Sequence, residues 1–275
     1  MECSTPIIRA DGLTHRYGRL RAVDDLSFSV ERGEVLALLG PNGAGKTTTL
    51  SMLTGTLAPH AGRICIAGHN LAEAPQQAKR ALGYLPEIPP LYPELTVSEY
   101  LHFCARLHGM NRRSAHTATH AVCARCGLET VARRLIGHLS KGYRQRVGIA
   151  QAIVHQPAAV ILDEPTVGLD PVQIRASREL IRGLAVSAAV IVSTHLLNEA
   201  EEIATRVIIL AHGRIAHEIS TAATPRQLRL ECLRPPPATR LARIAGITAV
   251  HPSTSGTVLL DRATDPDPRP ELLAA

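Results

Sequence analysis

One run of residues is suited to holding phosphate groups: Gly40-Pro41-Asn42-Gly43-Ala44-Gly45-Lys46-Thr47-Thr48. It fills every fixed position of the pattern G-x-x-x-x-G-K-[ST]. The glycines let backbone N–H groups converge on phosphate oxygens, and a helix that begins after them adds a favourable potential. Lys46 can reach the β- and γ-phosphates of a nucleotide, and the Thr47 hydroxyl can bind Mg²⁺. The run therefore predicts a site for nucleotide phosphates.

An acidic pair, Asp163-Glu164, follows the apolar run 159–162 far downstream. The run predicts a core strand, and parallel strands end at one edge of a sheet. Asp163 can then lie beside Thr47 and hold Mg²⁺ through water, whereas Glu164 can face the attacking water as a general base. Together the two segments predict an enzyme that hydrolyses nucleotide.

The elements that must position these residues have readable patterns. The phosphate loop stands between an apolar run, 35–39, that predicts a buried strand and a segment, 47–53, that predicts a helix. Strand and helix alternate again from Val160 onward, whereas residues 88–140 carry two helical patterns, 97–108 and 113–126. We predict an α/β fold with a P-loop NTPase core and a helical subdomain at about 88–140.

Composition narrows the class of protein. Among 275 residues, 45% are hydrophobic and 20% charged, which excludes a disordered or fibrous chain. The net charge of +6 permits nucleic acid, anionic lipid or an anionic ligand as partner. The chain has few aromatic residues that could stack on bases: five Tyr, two Phe and no Trp. We therefore expect no nucleic-acid partner. We expect neither a membrane span nor a secretion signal.

Cysteine and histidine residues raise a separate question. Six Cys in a chain of this length, with no secretion signal, predict reduced thiols rather than disulfides. His116, His120, Cys123 and Cys126 have metal-like spacing, and the first three would share one face of a helix. We expect them to be packing residues, and binding of zinc or copper by His116, His120 and Cys123 stays open.

The last part of the sequence changes character after Pro235-Pro236-Pro237. We predict one domain over residues 1–234 and a small appendage with a tail over 235–275. Within the appendage, a short helical stretch is expected around 240–244, and apolar runs stand at 247–250 and 258–260. No function is assigned to it.

The segment Leu-Ser-Lys-Gly-Tyr-Arg-Gln-Arg at 139–146 resembles the signature of ATP-binding-cassette (ABC) ATPases, usually Leu-Ser-Gly-Gly-Gln. Lys141 replaces the first Gly of that signature, and Tyr143 replaces the Gln. The resemblance implies that Ser140 and Gly142, at the start of a helix, bind the γ-phosphate of ATP held by another subunit. Ser140 would also cap that helix.

Further segments resemble this family in the expected order over residues 7–218. Tyr17 matches the aromatic residue that stacks on adenine, and Glu87 stands where a Gln usually touches Mg²⁺ and the lateral cleft. Asp170, in Gly-Leu-Asp, resembles the D-loop, and His195, in Ser-Thr-His, resembles the switch histidine. The resemblance thus implies an ATP site built from phosphate loop, acidic pair, switch histidine and a second subunit's signature.

The type of ABC ATPase is narrowed by spacing. The chain from Lys46 to Ser140 is too short for the coiled-coil insertion of repair ATPases, and there is one cassette. The variant signature resembles the bacterial gliding-motility, multidrug and copper-processing export ATPases. The resemblance implies ATP and Mg²⁺ as cofactors, a homodimer or pseudo-dimer, a separately encoded membrane permease, and the cytoplasmic face of the cell membrane. The alternative is a soluble ABC-type ATPase with a regulatory or assembly role.

Overall fold

The computed structural model describes residues 6–220, 226–231, 237–244, 247–252 and 257–262. The chain divides after Thr221 into two compact units. The domain boundary that the sequence predicts at residue 234 stays a prediction.

The first unit alternates strands and helices. Its strands are β1 (Ile8–Tyr17), β2 (Leu20–Val30), β3 (Val35–Leu39), β4 (Ala61–Ile66), β5 (His69–Asn70), β6 (Leu82–Leu85), β7 (Ala159–Asp163), β8 (Ala189–Thr194), β9 (Arg206–Ala211) and β10 (Arg214–Ser220). Its helices are α1 (Lys46–Leu53), α2 (Pro75–Arg80), α3 (Val97–Leu107), α4 (Arg112–Arg125), α5 (Lys141–Ile153), α6 (Pro171–Ala185) and α7 (Leu197–Ile203). Two short 3-10 helices, Glu129–Val131 and Ile136–His138, lie between α4 and α5.

A six-stranded sheet in the order β10-β9-β3-β8-β7-β6 forms the centre of this unit. All neighbours except the edge pair β10–β9 are parallel. Strands β3, β7 and β8 are buried at every residue, as expected of parallel strands covered on both faces. The predictions of a buried strand at 35–39 and a core strand at 159–162 are confirmed.

Each face of the central sheet packs on a different layer. Val35, Ala37 and Leu39 of β3 pack into a core with the helices that follow β6 and β7. Leu36 and Leu38, which alternate with them, pack with α1 and with a second, antiparallel sheet in the order β2-β1-β4-β5. The α/β fold predicted from the sequence is confirmed.

The parallel order brings together loops that are distant along the chain. In the paired register, Leu39 lies beside Thr194, and Asp163 lies beside Ser193. On the far side of β7, Leu162 pairs with Leu85 of β6. The same edge of the sheet therefore carries, in order, the phosphate loop, His195, the acidic pair and Glu87.

The helical region between β6 and β7 follows its sequence signals. Thr96 and Glu99 form a capping box at the start of α3, and the Asn111 side chain accepts a hydrogen bond from the Ser114 N–H at the start of α4. Residues 88–140 contain both helices, which confirms the helical patterns predicted there.

The second unit consists of β11 (Arg226–Glu231), α8 (Ala238–Leu241), β12 (Ile247–Pro252) and β13 (Thr257–Arg262). Its antiparallel sheet has the order β11-β13-β12. Leu241 and Leu260 are buried, with Ile244, Ile247 and Val250 packed against them. The helical stretch expected around 240–244 begins and ends earlier, as α8 at 238–241, and the two apolar runs lie in β12 and β13. Strand β11 was not predicted, and the tail beyond residue 262 lies outside the described residues.

Within the described ranges, no helix has the length and apolar character needed to cross a bilayer.

Candidate functional site

The phosphate loop runs too close to neighbouring backbone to carry side chains at two of its glycines. A Cβ at Gly40 would lie 2.5 Å from the Leu210 carbonyl oxygen, and one at Gly45 would lie 2.5 Å from the Ala22 carbonyl oxygen. Gly45 also has a φ of +104°, which favours glycine. Because Gly45 directly precedes α1, the loop ends at a helix N-terminus, where free N–H groups can bind an anion.

Lys46 points back over this loop. Its Nζ donates hydrogen bonds to the carbonyl oxygens of Gly40, at 2.6 Å, and Pro41, at 3.2 Å. The side chain is buried, whereas the next residue, Thr47, is exposed. The ammonium group thus lies over the phosphate loop, and Thr47 is an exposed residue of the first turn of α1.

Asp163 is the buried last residue of β7. Burial raises the pKa of its carboxyl group, and the nearby negative charge of Glu87 raises it further. A 2.5 Å hydrogen bond from the Ser193 hydroxyl and the charge of Lys46 lower the same pKa. The predicted metal ligands Asp163 and Glu87 and the phosphate-binding Lys46 are therefore within electrostatic range of one another.

Glu164 is held in an unusual conformation beside the switch histidine. Its φ of 46° lies in the left-handed region, which costs free energy for a residue with a side chain. Its backbone N–H donates to the Ser193 hydroxyl at 2.9 Å, and its carboxylate oxygens lie 3.0 and 3.1 Å from His195 Nδ1. The structure thus brings together the predicted base and the predicted switch residue.

Two positioning groups were missed by sequence reasoning. Ser193 bonds both members of the acidic pair, as described above. Glu199, buried on α7, accepts hydrogen bonds from the hydroxyls of Thr166, at 2.8 Å, and Thr194, at 3.0 Å. It therefore ties the segment after β7 to the segment before His195. The hydroxyl residues next to His195 were the available signal for Ser193, and no pattern singled out Glu199.

The signature segment lies against the D-loop of its own chain. The Ser140 hydroxyl accepts from the Tyr143 N–H at the start of α5, and the Asp170 side chain accepts from the Gln173 N–H at the start of α6. The Lys141 amine fills the space that a Cβ at Gly168 would need. Among the described residues, no hydrogen bond or ion pair joins Ser140 to the phosphate loop.

Tyr17 lies at the end of β1, opposite Leu20, and is 53% exposed. Across the same hairpin, the Ala22 carbonyl and the Val23 side chain approach Gly45. The hairpin end is therefore next to the phosphate loop, where the resemblance requires an adenine-stacking residue.

The cysteine and histidine residues of α4 do not assemble a metal site. His116 and His120 lie one turn apart, with ring centroids separated by 4.7 Å. Cys123 is buried, and burial and the charge of Glu129 raise the pKa of its thiol. No cluster of three or more His, Cys, Asp or Glu able to hold a metal ion occurs in the described parts of the chain. The described cysteines are free thiols, whereas Cys3 and Cys232 lie outside those parts.

The fold and the site define a P-loop NTPase: a parallel sheet with a phosphate loop after one strand and an acidic pair after another. A family model described as "ABC transporter" matches residues 23–167. The chain belongs to the ABC transporter family, as an ATP-binding, ATP-hydrolysing subunit.

The chain is 36% identical over 258 residues to the Nod factor export ATP-binding protein I of Burkholderia lata, covering 92% of this chain and 84% of the relative. A solved ATP-binding subunit of an ABC transporter is 34% identical, with a TM-score of 0.71, covering 78% of this chain and 90% of that one. A dimeric ATP-binding cassette in a post-hydrolysis state, bound to ADP and Pi, shares the fold at 24% identity and a TM-score of 0.69, over 78% and 98% of the two chains.

Proposed function

We propose that the phosphate loop, residues 40–48, and Lys46 hold the phosphates of ATP, and that Thr47, Asp163 and Glu87 bind Mg²⁺ directly or through water. The donor set fits this ion, because carboxylate and hydroxyl oxygens are the protein ligands that Mg²⁺ prefers. The raised pKa of Asp163 supports the same assignment, since burial and Glu87 make an uncompensated carboxylate there unfavourable. When bound, Mg²⁺ neutralises charge on the phosphate oxygens.

Glu164 is the proposed general base. It would accept a proton from the attacking water at its carboxylate, one edge of which is held by His195 Nδ1. Because Nδ1 faces Glu164, Nε2 is the nitrogen of His195 that remains to contact the γ-phosphate. The single observation that carries this assignment is the Glu164–His195 pair at the same sheet edge as the phosphate loop.

We propose that two subunits complete each other's sites. Ser140 and Gly142 would bind the γ-phosphate of the partner's ATP, and Asp170 would lie at the shared interface. The fold shared with a dimeric cassette supports this arrangement. ATP would then stabilise the dimer, and loss of the γ-phosphate on hydrolysis would weaken it.

The ATPase is proposed to power a separately encoded membrane permease, in an exporter, from the cytoplasmic face of the membrane. The Nod factor export relative supports the direction. An exposed apolar surface on the helical subdomain supports the partner: Tyr92 and Phe103 have ring centroids 6.1 Å apart, and Leu107, 69% exposed, follows one turn along α3. We name Tyr92, Phe103 and Leu107 the α3 patch; such patches mark interaction sites.

Purification of the tagged chain from solubilised native membranes tests this function. We expect an integral membrane protein to co-purify with the wild type and to be lost with Leu107→Glu, because a charge in the α3 patch opposes docking. The matched control is Val186→Glu, which alters another exposed apolar residue, 84% exposed, after α6. ATP hydrolysis with no membrane protein bound would instead favour a regulatory or assembly role.

A further inference from the structure

The nucleotide-base side of the proposed site contains two histidines that the ATPase mechanism does not use. His15 lies two residues before Tyr17 on β1, so both side chains project from the same face of the strand. In the β1–β2 register, His15 lies opposite Val23, whose side chain approaches Gly45 of the phosphate loop. His15 therefore lies on the part of the β1–β2 hairpin that approaches the phosphate loop.

The rings of His15 and Tyr17 are in direct contact. The centroids of His15 and Tyr17 lie 4.8 Å apart, with an interplanar angle of 64°, an edge-to-face arrangement. His15 is only 5% exposed, whereas Tyr17 is 53% exposed. A fixed, buried ring thus holds one side of Tyr17, and the exposed remainder of the Tyr17 ring is free for a planar ligand.

His60, the residue just before β4, contacts His15. The two rings have centroids 4.5 Å apart, and their Nδ1 atoms lie 3.1 Å apart. His15 Nδ1 also lies 3.1 Å from the Ala58 carbonyl oxygen, and the Arg16 N–H donates to His60 Nδ1 at 3.4 Å. The His60 N–H bonds the Thr14 carbonyl oxygen at 2.8 Å, which anchors the residue to β1.

These contacts determine which nitrogens carry protons. His60 Nδ1 accepts from the Arg16 N–H, so it must present a lone pair. The proton between the two Nδ1 atoms therefore belongs to His15, which shares it between His60 and the Ala58 carbonyl. The hydrogen bonds of His15 Nδ1 to His60 and to the Ala58 carbonyl thus orient the His15 ring.

We propose that His15, held by His60, is a positioning residue that fixes Tyr17 for stacking on the base of the nucleotide. The inference rests on the proposed function, because it assumes that ATP occupies the phosphate loop. An ordered Tyr17 ring loses less conformational freedom on binding, so the base binds more tightly. Loss of an edge-to-face contact of this kind should weaken nucleotide binding roughly three- to tenfold.

The test compares ATP with inorganic tripolyphosphate, which has the phosphates but no base, by titration calorimetry. His15→Leu should raise the Kd for ATP about three- to tenfold and leave the Kd for tripolyphosphate unchanged. His60→Ala, at an exposed position that leaves the core intact, should act in the same direction. His69→Leu, which removes an exposed histidine on β5, is the control and should change neither Kd.

A double-mutant cycle with Tyr17→Ala decides whether His15 acts through the tyrosine. In the Tyr17→Ala background, His15→Leu should have no further effect on ATP binding. Equal weakening of ATP and tripolyphosphate, or an undiminished His15 effect without Tyr17, would overturn the proposal. A wild-type chain that binds neither compound would overturn the proposed function together with it, so the two failures are distinguishable.

Discussion

Replacement of Ser193 by alanine should move the pH dependence of ATP hydrolysis. Its hydroxyl donates to Asp163 and accepts from the Glu164 N–H, so Ser193→Ala removes both bonds. A hydrogen bond to a charged group contributes about 1.5–3 kcal/mol, so its loss should raise the pKa of Asp163. Burial already raises the pKa of Asp163, and this bond opposes that rise. Without it, Asp163 binds its proton at a higher pH.

The assay is the pH profile of kcat/KM for ATP in the wild type and in Ser193→Ala. Because Mg²⁺ needs the ionised carboxylate, we expect the acid limb of the profile to move to higher pH in Ser193→Ala. Ser177→Ala, which alters another buried serine on α6, is the matched control and should leave the limb in place. An unmoved limb in Ser193→Ala, or an equal shift in the control, would refute the reasoning.

Three further perturbations probe the shared site, the metal site and acid stability. Ser140→Arg should abolish ATP hydrolysis but preserve ATP binding by the monomer. Mixing this variant with Lys46→Ala should restore ATP hydrolysis. Loss of ATP binding by the Ser140→Arg monomer would contradict a role of Ser140 across the dimer. In EDTA, Glu87→Gln should bind ATP about three- to tenfold more tightly than the wild type, because a negative charge near the phosphates is removed. If the ratio of the affinities with and without Mg²⁺ is the same in both proteins, Glu87 is not a metal ligand. Burial lowers the pKa of His155 from 6.5 to about 4. As the pH falls, the unfolded chain therefore binds a proton at this histidine at a higher pH than the folded chain does. The free energy of unfolding, which is highest near neutral pH for this group, then decreases as the pH drops below about 6.5. Between pH 7 and about pH 5, the free energy of unfolding of His155→Phe should therefore fall by about 2 kcal/mol less than that of the wild type. Thermal melting at both pH values measures this difference, and equal falls would contradict it.

The parts of the site that the sequence predicts are those with a local pattern. The phosphate loop and the Asp163-Glu164 pair each follow an apolar run, and such runs end at one edge of a parallel sheet. His195 follows β8 in the same way. Local pattern does not predict the strand order, in which β8 lies between β3 and β7. This order is determined by packing between segments that are distant along the chain.

The parts that the sequence does not predict depend on tertiary contacts. Ser193 stands in an apolar strand, and only the pairing of β7 with β8 places its hydroxyl against Asp163. Glu199 belongs to an acidic stretch typical of a solvated helix face, yet two threonine hydroxyls make it a buried acceptor. The pairing of β11 with β13 likewise depends on a strand that comes later in the chain.

The central claim, that Glu164 is the base of an ATPase whose dimer is held by ATP, is tested most directly by Glu164→Gln. The amide keeps the shape of the side chain but cannot accept the proton from water. We predict that this variant binds Mg·ATP, loses most of its turnover, and elutes as a dimer in size-exclusion chromatography with Mg·ATP, because the γ-phosphate persists. Hydrolysis at the wild-type rate, or a monomer at protein and ATP concentrations well above the ATP affinity, would contradict the account.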